Sequence, residues 1–315
     1  MRVAVPSISF SQHAVLRKEL LSSYPESKFN ETQRRLSEDE LMAWMKGCDA
    51  AIMGLEPLTE RMLDKLPELK VIGRMGVGVD NIDPALLKRR GIRIGWVPGV
   101  NKLSVAELTI AFAISGLRHV GRGNAEMRAG LRPRQIMGRH LSGRVVGLHG
   151  CGHVGKEVVR LLQPFGCTIL ACDIADYAAF YRASGVNPVS MDALLARSEV
   201  LSLHLPLNAS TRGLYGAAAL DRLRPDCVLI NTCRGDIVDE AALKQRLKAG
   251  RIAAACFDVF AIEPPTDDEL LNLPNFFATP HIGGSAEEAR LAMGRAAIRG
   301  LTENFLPEPG VYPFD

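Results

Sequence analysis

The sequence predicts an α/β protein that folds into two domains, each built around a parallel β-sheet. Short runs rich in Val and Ile alternate with amphipathic stretches, as in βαβ units, and this alternation occurs twice along the 315 residues. Pro98-Gly99 breaks the first block. The second block opens on an apolar run that leads directly into a glycine-rich turn. The length agrees with this division, because a domain typically holds roughly 100 to 200 residues.

The first block alternates four strands with four helices. We expect the strands at residues 2–5, 50–53, 71–73 and 92–94, and the helices at 12–22, 38–45, 59–66 and 84–90. A long apolar helix over 105–117 follows, and Asn101 or Ser104 would cap it. Residues 121–144, rich in Gly and Arg, are interpreted as a connector or arm outside the core.

The second block holds six candidate strands, enough for a complete Rossmann doubly wound parallel sheet. We expect them at residues 145–149, 168–172, 200–204, 228–231, 253–257 and 276–278. The run 285–304 is interpreted as one capped helix that returns to the first domain. We therefore expect a discontinuous domain of residues 1–99 and 285–315, and a Rossmann domain of residues 100–284.

Composition and charge exclude several classes of protein. With 47% hydrophobic and 23% charged residues, the chain has the composition of a globular protein. The net charge of +3 is spread over mixed acidic and basic residues, which disfavours a nucleic-acid partner. No signal-type segment opens the chain and Glu107 interrupts its longest apolar helix, so we expect neither export nor a membrane partner. Seven cysteines without a C-x-x-C pair indicate reduced thiols in the cytoplasm, and we expect no metal site.

A G-x-G-x-x-G motif directly follows the first strand of the second block and opens a helical pattern. Gly150 would permit a tight turn, Gly152 would let the backbone approach a pyrophosphate, and Gly155 would allow close helix packing. The N–H groups near His153 and Val154, at the positive end of the helix, would attract the phosphates. This context predicts a dinucleotide site.

Asp173 ends the next predicted strand, near the offset of about 20 residues expected for the acid that binds ribose. Its carboxylate would accept hydrogen bonds from the adenosine ribose and repel a 2′-phosphate. Ile174 and Ala175 follow it instead of an arginine, so the sequence favours NAD over NADP. The plainer interpretation is a glycine turn of another α/β protein that binds nothing.

Three charged residues follow later strands of the same sheet, at the edge where open α/β folds bind ligands: Arg234, Glu263 and His281. A histidine titrates in the range needed to take a hydroxyl proton, and a glutamate bonded to its far nitrogen would fix the tautomer. A planar guanidinium would hold a carboxylate with two hydrogen bonds and polarise a carbonyl. Singly, each has a plainer interpretation, as a surface ion-pair donor, a loop carboxylate or a loop histidine.

The motifs together resemble the D-2-hydroxyacid dehydrogenases, in particular the phosphoglycerate dehydrogenase-like branch, over essentially the full chain. The matching segments are residues 76–83, Asn101 with 104–107, the glycine turn, 204–207, 231–235, 258–264 and 279–284. The resemblance implies an NAD-dependent enzyme with a flavodoxin-like α/β substrate domain. It also implies a homodimer formed through a dimerisation arm near residues 101–144.

The resemblance further implies a role for each site residue. Arg234 would bind the substrate carboxylate and carbonyl, Glu263 would support the histidine, and His281 would be the general acid/base. Backbone amides at Val77, Gly78 and Val79 would bind the substrate carboxylate. Further residues would contact the cofactor, with Asp258 near the nicotinamide carboxamide: Leu205, Pro206, Thr232, Cys233, Asp258 and Gly283.

Departures from the family pattern concern the substrate and the arm. Longer phosphoglycerate dehydrogenases carry a phosphate-binding arginine in the stretch that here contains Glu56, which would disfavour a second anion. Arg74 remains as a cation, although structural pairing with an acidic neighbour explains it equally well. Leu131-Arg132 stands where many relatives have a tryptophan in the connector.

We therefore expect an NAD-dependent oxidoreductase of a small D-2-hydroxy acid or 2-keto acid, with 3-phosphoglycerate-like acids among the possibilities. The alternative from another class is a non-catalytic, NAD-responsive protein like the corepressors that resemble this family. A relative that oxidises formate or phosphite is the third hypothesis. Glu263 disfavours the formate branch, which has a glutamine there.

Overall fold

A computed structural model describes residues 1–132 and 135–314, which form two compact units. Unit 1 runs from Met1 to Asn101 and resumes at Gly284, and unit 2 runs from Lys102 to Gly283. The sequence predicts the boundaries after residues 99 and 284. The structure places them after 101 and 283, because the helix that begins at Lys102 belongs to unit 2 as a whole.

Unit 1 is built on a five-stranded parallel sheet in the order β2-β1-β3-β4-β5, which is the flavodoxin-like order. Its elements before unit 2 are β1 (Val3–Val5), α1 (Ile8–Ser11), α2 (Ala14–Ser23), β2 (Lys28–Phe29), α3 (Glu38–Met45), β3 (Ala50–Met53), α4 (Glu60–Lys65), β4 (Val71–Arg74), α5 (Pro84–Arg90) and β5 (Arg93–Gly95). All four predicted strands are present. The sequence analysis missed β2 and α1, which are too short to show a hydrophobic period.

Unit 2 is built on a seven-stranded parallel sheet in the order β12-β11-β10-β9-β6-β7-β8. Its elements are α6 (Lys102–Arg118), α7 (Val120–Arg128), β6 (Val145–His149), α8 (His153–Leu162), β7 (Thr168–Cys172), α9 (Ala178–Ser184), β8 (Asn187–Pro188), α10 (Met191–Arg197), β9 (Val200–Leu203), α11 (Ala217–Leu220), β10 (Val228–Asn231), α12 (Glu240–Lys248), β11 (Ala254–Phe257), α13 (Asp268–Leu271) and β12 (Phe276–Ala278). This confirms the predicted Rossmann sheet and adds the two-residue strand β8. The strand order reverses between β6 and β9, where such sheets bind ligands.

The inner strands of both sheets consist mostly of buried apolar residues because each sheet is covered on both faces. In unit 1, Ala51 and Met53 belong to one buried cluster, while Ala50 and Ile52 belong to the cluster on the opposite face. The continuous Val- and Ile-rich runs of the sequence therefore report parallel strands buried on two sides.

The C-terminal helix α14 (Glu287–Gly300) packs on β4 and β5 and completes unit 1, as the prediction of a discontinuous domain requires. The approach is close. A β-carbon on Gly73 would collide with the carbonyl of Ala297, and one on Gly95 would collide with the backbone of Gly300. Glycine at these positions lets the helix lie directly on the strands.

The connector lies outside the core, as predicted, but it contains a helix that the sequence analysis did not predict. Residues 120–128 form the helix α7, although none of its residues is buried. Residues 133 and 134 of the expected dimerisation arm lie outside the described residues. Ser104 lies inside α6 and its hydroxyl donates to the carbonyl of Gly283 at 2.6 Å, so it does not cap the helix. In residues 1–132 and 135–314 no single helix is long and apolar enough to span a membrane. The helices α6 and α7 meet both criteria only when they are taken together, and they are bent by 67° relative to each other.

Candidate active site

The glycine turn lies between β6 and α8, and each glycine meets a different steric requirement. Gly150 has a φ of +91°, and a β-carbon there would collide with the carbonyl of His204. A β-carbon on Gly155 would lie 2.5 Å from the carbonyl oxygen of Gly150. Gly152 faces open space and precedes α8, whose first turn has no side-chain cap among the described residues. The uncapped N–H groups of His153 and Val154 and the space at Gly152 suit a pyrophosphate.

Asp173 follows β7 directly and is tied to the glycine turn. One carboxylate oxygen accepts the N–H of Cys151 at 2.5 Å, and the other accepts the N–H of Ala175 at 2.8 Å. Since each carboxylate oxygen can accept two hydrogen bonds, both keep a lone pair for ribose hydroxyls. The residues present therefore fit the adenosine half of NAD.

Two histidines that the sequence analysis left without a role lie at the ends of β6 and β9. Nδ1 of His149 lies 2.8 Å from the hydroxyl of Tyr215, while Nε2 of His204 is buried without a partner in the described chain. Burial lowers the pKa of His149 to about 4 and that of His204 to about 4. Both rings are uncharged near neutral pH, so they add no positive charge to the dinucleotide site.

The other expected cofactor residues lie where the neighbouring strands β9 and β10 end. Leu205 lies close to Gly150, with its side chain 3.3 Å from where a β-carbon of that glycine would be, and Pro206 is exposed beside it. The hydroxyl of Thr232 is 3.2 Å from that of Thr109, and the N–H of Cys233 donates to the side chain of Asn231 at 3.1 Å. These residues share the edge of the sheet with the glycine turn.

His281 and Glu263 form a hydrogen-bonded pair in the loops that follow β12 and β11. Nδ1 of His281 lies 2.7 Å from one carboxylate oxygen of Glu263, and the other oxygen accepts the N–H of Phe260 at 3.1 Å. Burial would raise the pKa of the Glu263 carboxyl, but the hydrogen bond and charge of His281 outweigh it and lower that pKa. The charge of Arg234 acts in the same direction. Because the partner is a carboxylate, Nδ1 carries a proton and Nε2 is left for a substrate.

A buried carboxylate holds the loop that carries His281. Asp258, 1% exposed, accepts the hydroxyl of Thr279 at 2.5 Å and the N–H groups of Ile282 and Gly283 at 2.7 Å each. The N–H of His281 donates to the carbonyl of Asp258 at 2.8 Å, and the residue has a φ of +55°. Asp258 thus organises the loop, a contribution that the sequence analysis missed. The only hint of this role in the sequence was that Asp258 directly follows an apolar strand.

Arg234 lies between β10 and the 3₁₀ helix Gly235–Ile237 in an extended conformation. Its guanidinium donates to the carbonyl of Cys233 at 2.7 Å. A β-carbon on Gly235 would collide with the backbone of Phe260, so the segments after β10 and β11 run in close contact. Unit 2 thereby brings Arg234, Glu263 and His281 to one edge of its sheet.

The expected carboxylate-binding residues Val77, Gly78 and Val79 lie in unit 1. They form the loop between β4 and α5 and are partly exposed. The loop follows Gly76, whose φ is +142°.

A family model for the NAD-binding domain of the D-isomer specific 2-hydroxyacid dehydrogenases matches residues 110–283. The chain belongs to this family. It is an NAD-dependent oxidoreductase of the D-2-hydroxyacid dehydrogenase type, as the resemblance in the sequence implies.

Individual members of the D-2-hydroxyacid dehydrogenase family resemble the chain along most of its length. Hydroxypyruvate reductase of Thermotoga maritima is 35% identical over 89% of this chain and 91% of its own. D-3-phosphoglycerate dehydrogenase of Methanocaldococcus jannaschii is 34% identical over 88% of this chain, which spans only 55% of that protein. The crystal structure of a glyoxylate reductase from Paecilomyes thermophila has 29% identity and a TM-score of 0.84, and 96% of this chain and 94% of that chain are covered.

Proposed function

We propose that His281 exchanges a proton with the substrate oxygen while Arg234 holds the substrate, in the interconversion of a small D-2-hydroxy acid and its 2-keto acid. The observation that carries this proposal is the hydrogen bond of 2.7 Å between His281 and Glu263, at the sheet edge that also holds Arg234. Bound NAD would accept or supply the hydride.

The pairing with Glu263 assigns the proton to one ring nitrogen of His281. In the reducing direction, protonated Nε2 donates to the carbonyl oxygen, which becomes a hydroxyl group. In the oxidising direction, neutral Nε2 takes the hydroxyl proton. The guanidinium of Arg234 binds the carboxylate and polarises the carbonyl. Acid–base catalysis of this kind contributes about 10²- to 10⁴-fold in rate.

The same proposal assigns the cofactor contacts. Asp173 would bind the adenosine ribose, and the amides at the start of α8 would bind the pyrophosphate. The remaining contacts would come from residues after β9, β10, β11 and β12: Leu205, Pro206, Thr232, Cys233, Asp258 and Gly283.

For the substrate we propose an unphosphorylated acid. Glu56 lies in the loop after β3, is 9% exposed, and accepts the N–H of Gly54 at 2.5 Å. The carboxylate of Glu56 offsets the positive charge of Arg74, whose guanidinium donates to the carbonyl of Gly54, so this loop offers a phosphate group no net positive charge. The resemblance to a hydroxypyruvate reductase over 91% of that protein also supports this choice.

The experiment is a substrate panel with the purified full chain. NADH oxidation is followed by absorbance with glyoxylate, hydroxypyruvate, pyruvate and phosphohydroxypyruvate, and NADPH is tested in parallel. We expect turnover with the unphosphorylated acids and NADH. Tight NADH binding without turnover of any acid would contradict the enzymatic proposal and favour the NAD-responsive alternative. Preference for phosphohydroxypyruvate would contradict only the substrate.

We also propose that unit 1 is the substrate-binding domain and that the protein acts in the cytoplasm. Seven free thiols suit the cytoplasm, which cell fractionation would test.

We further propose that the connector near residues 101–144 mediates a homodimer. Large apolar side chains are exposed along the connector, with Met127 at 53%, Leu131 at 56% and Met137 at 83%. Such a surface suits a second copy of the chain. Light scattering should give twice the mass of 34.3 kDa, and Leu131→Asp should lower it.

A further inference from the structure

Two side chains hold consecutive carbonyl groups of the loop between β4 and α5. The indole N–H of Trp96 donates to the carbonyl of Val77 at 2.8 Å, and Nε of Arg74 donates to the carbonyl of Gly78 at 2.8 Å. Trp96 follows β5, whereas Arg74 ends β4, so the loop is held from two neighbouring strands of unit 1.

The two hydrogen bonds also determine where the amide groups of the loop point. In a trans peptide the C=O and N–H groups point in opposite directions. Fixing the carbonyl of Val77 therefore orients the N–H of Gly78, and fixing the carbonyl of Gly78 orients the N–H of Val79. Neither N–H donates to an acceptor in the described chain. Both are among the amides that the family resemblance implies for the substrate carboxylate, in the unit that we propose as the substrate-binding domain.

Each of the two donors is itself well anchored. Arg74 is 4% exposed, and its guanidinium also donates to the carbonyl of Gly54 and, at 2.9 Å, to the side chain of Asn81. It thus joins the loops that follow β3 and β4. The ring of Trp96 makes an edge contact with Tyr312, with 5.5 Å between ring centroids.

We propose that Trp96 and Arg74 are positioning residues that preset the N–H groups of Gly78 and Val79 for the substrate carboxylate. This inference rests on the proposed function and assigns Arg74 a structural role rather than a direct contact with an anion. A preset loop avoids the entropy loss of ordering its peptides when the substrate binds. The two residues therefore affect substrate affinity more than the chemical step.

The test replaces the donors and keeps most of each side chain. Trp96→Phe retains an aromatic ring without the N–H, and Arg74→Lys retains the charge without the fork of donors. Loss of one such hydrogen bond corresponds to about five- to tenfold in affinity. We expect KM for the 2-keto acid to rise by about that factor in Trp96→Phe and by at least that factor in Arg74→Lys, because Arg74 also donates to Gly54 and Asn81. In both variants kcat should stay within about twofold of wild type and KM for NADH should be unchanged.

Trp44→Phe is the matched control, because it removes the same atoms from the other tryptophan of unit 1. It should leave all three constants unchanged. Thermal unfolding of each variant separates a loss of folding from a loss of positioning, and Arg74→Lys provides a second route if Trp96→Phe does not fold.

The outcomes distinguish this inference from the proposed function. Wild-type protein that turns over no 2-keto acid contradicts the proposed function itself. Active wild-type protein together with unchanged KM in folded Trp96→Phe and Arg74→Lys overturns the positioning role. A fall in kcat at constant KM overturns it as well, since the effect would then lie in the chemical step.

Discussion

The substitution Glu263→Gln isolates the charge behind His281. The amide oxygen of glutamine can still accept the Nδ1 hydrogen of the imidazole, so the ring keeps its orientation. What disappears is the negative charge 2.7 Å from that nitrogen. The variant should therefore impair reduction, in which His281 must carry a second proton, more than oxidation.

The size of the expected effect depends on how exposed His281 and Glu263 are. A hydrogen bond to a charged group contributes about 1.5 to 3 kcal/mol when buried, whereas an exposed ion pair contributes about 0.2 to 1 kcal/mol. The side chains of His281 and Glu263 are 37% and 33% exposed, which lies between these cases. We take about 1 to 2 kcal/mol for the lost interaction, which corresponds to about 5- to 30-fold in rate.

The assay is kcat at neutral pH, measured for 2-keto acid reduction and for hydroxy acid oxidation. We expect Glu263→Gln to reduce the 2-keto acid about 5- to 30-fold more slowly than wild type, with a smaller loss in oxidation. Glu240→Gln is the matched control, because Glu240 accepts the N–H of Ala261 at 2.7 Å just as Glu263 accepts that of Phe260. Its kcat should equal that of wild type in both directions.

Two results would refute this reasoning. An equal loss of kcat in reduction and in oxidation would mean that glutamine misplaces the ring. Wild-type activity at neutral pH would mean that the carboxylate does not support the protonated state.

The remaining predictions address catalysis, cofactor choice and acid stability. His281→Ala and Arg234→Ala should each lower kcat at least about a hundredfold while NADH still binds, as measured by fluorescence titration; near-normal turnover would remove the residue from the mechanism. Asp173→Ala should raise kcat/KM with NADPH relative to NADH, and an unchanged ratio would contradict its ribose role. Burial lowers the pKa of His204 in the folded chain to about 4, below the ordinary histidine value of about 6.5, so the unfolded chain binds protons first as the pH falls. The stability that neutral His204 contributes is therefore complete above about pH 6.5 and is lost as the pH falls to about 4. The free energy of unfolding lost over this range is on the order of 3 kcal/mol. Urea midpoints should fall less over this range in His204→Gln than in wild type, and parallel losses would contradict the assignment.

Much of the fold could be predicted because its elements have strong local signals. The longer strands of unit 2 are mostly apolar runs, and β6, β7, β10 and β12 have the predicted bounds. The two-residue strands β2 and β8 could not be predicted, since they are defined by the neighbouring strand that they pair with. The helix α7 was also missed, because its glycines and arginines indicate a connector.

The candidate site was likewise predicted only in part. The motifs indicated that Gly150, Asp173, Arg234, Glu263 and His281 belong together, because their residue types and places after successive strands match one kind of chemistry. The supporting contacts carried no such signal. That Asp258 holds the loop of His281 depends on three-dimensional packing.

The sequence alone indicated the two parallel sheets, the discontinuous first unit and the candidate residues for the chemistry, since these follow from periodicity, glycine placement and the order of motifs along the chain. Only the tertiary structure decided how each group is held: which ring nitrogen of His281 faces Glu263, and which side chains of unit 1 turn the amides of Gly78 and Val79. Such contacts join segments far apart in the chain, as Trp96 and Val77 do. Their distances and directions are properties of packing, which no local pattern of residues records.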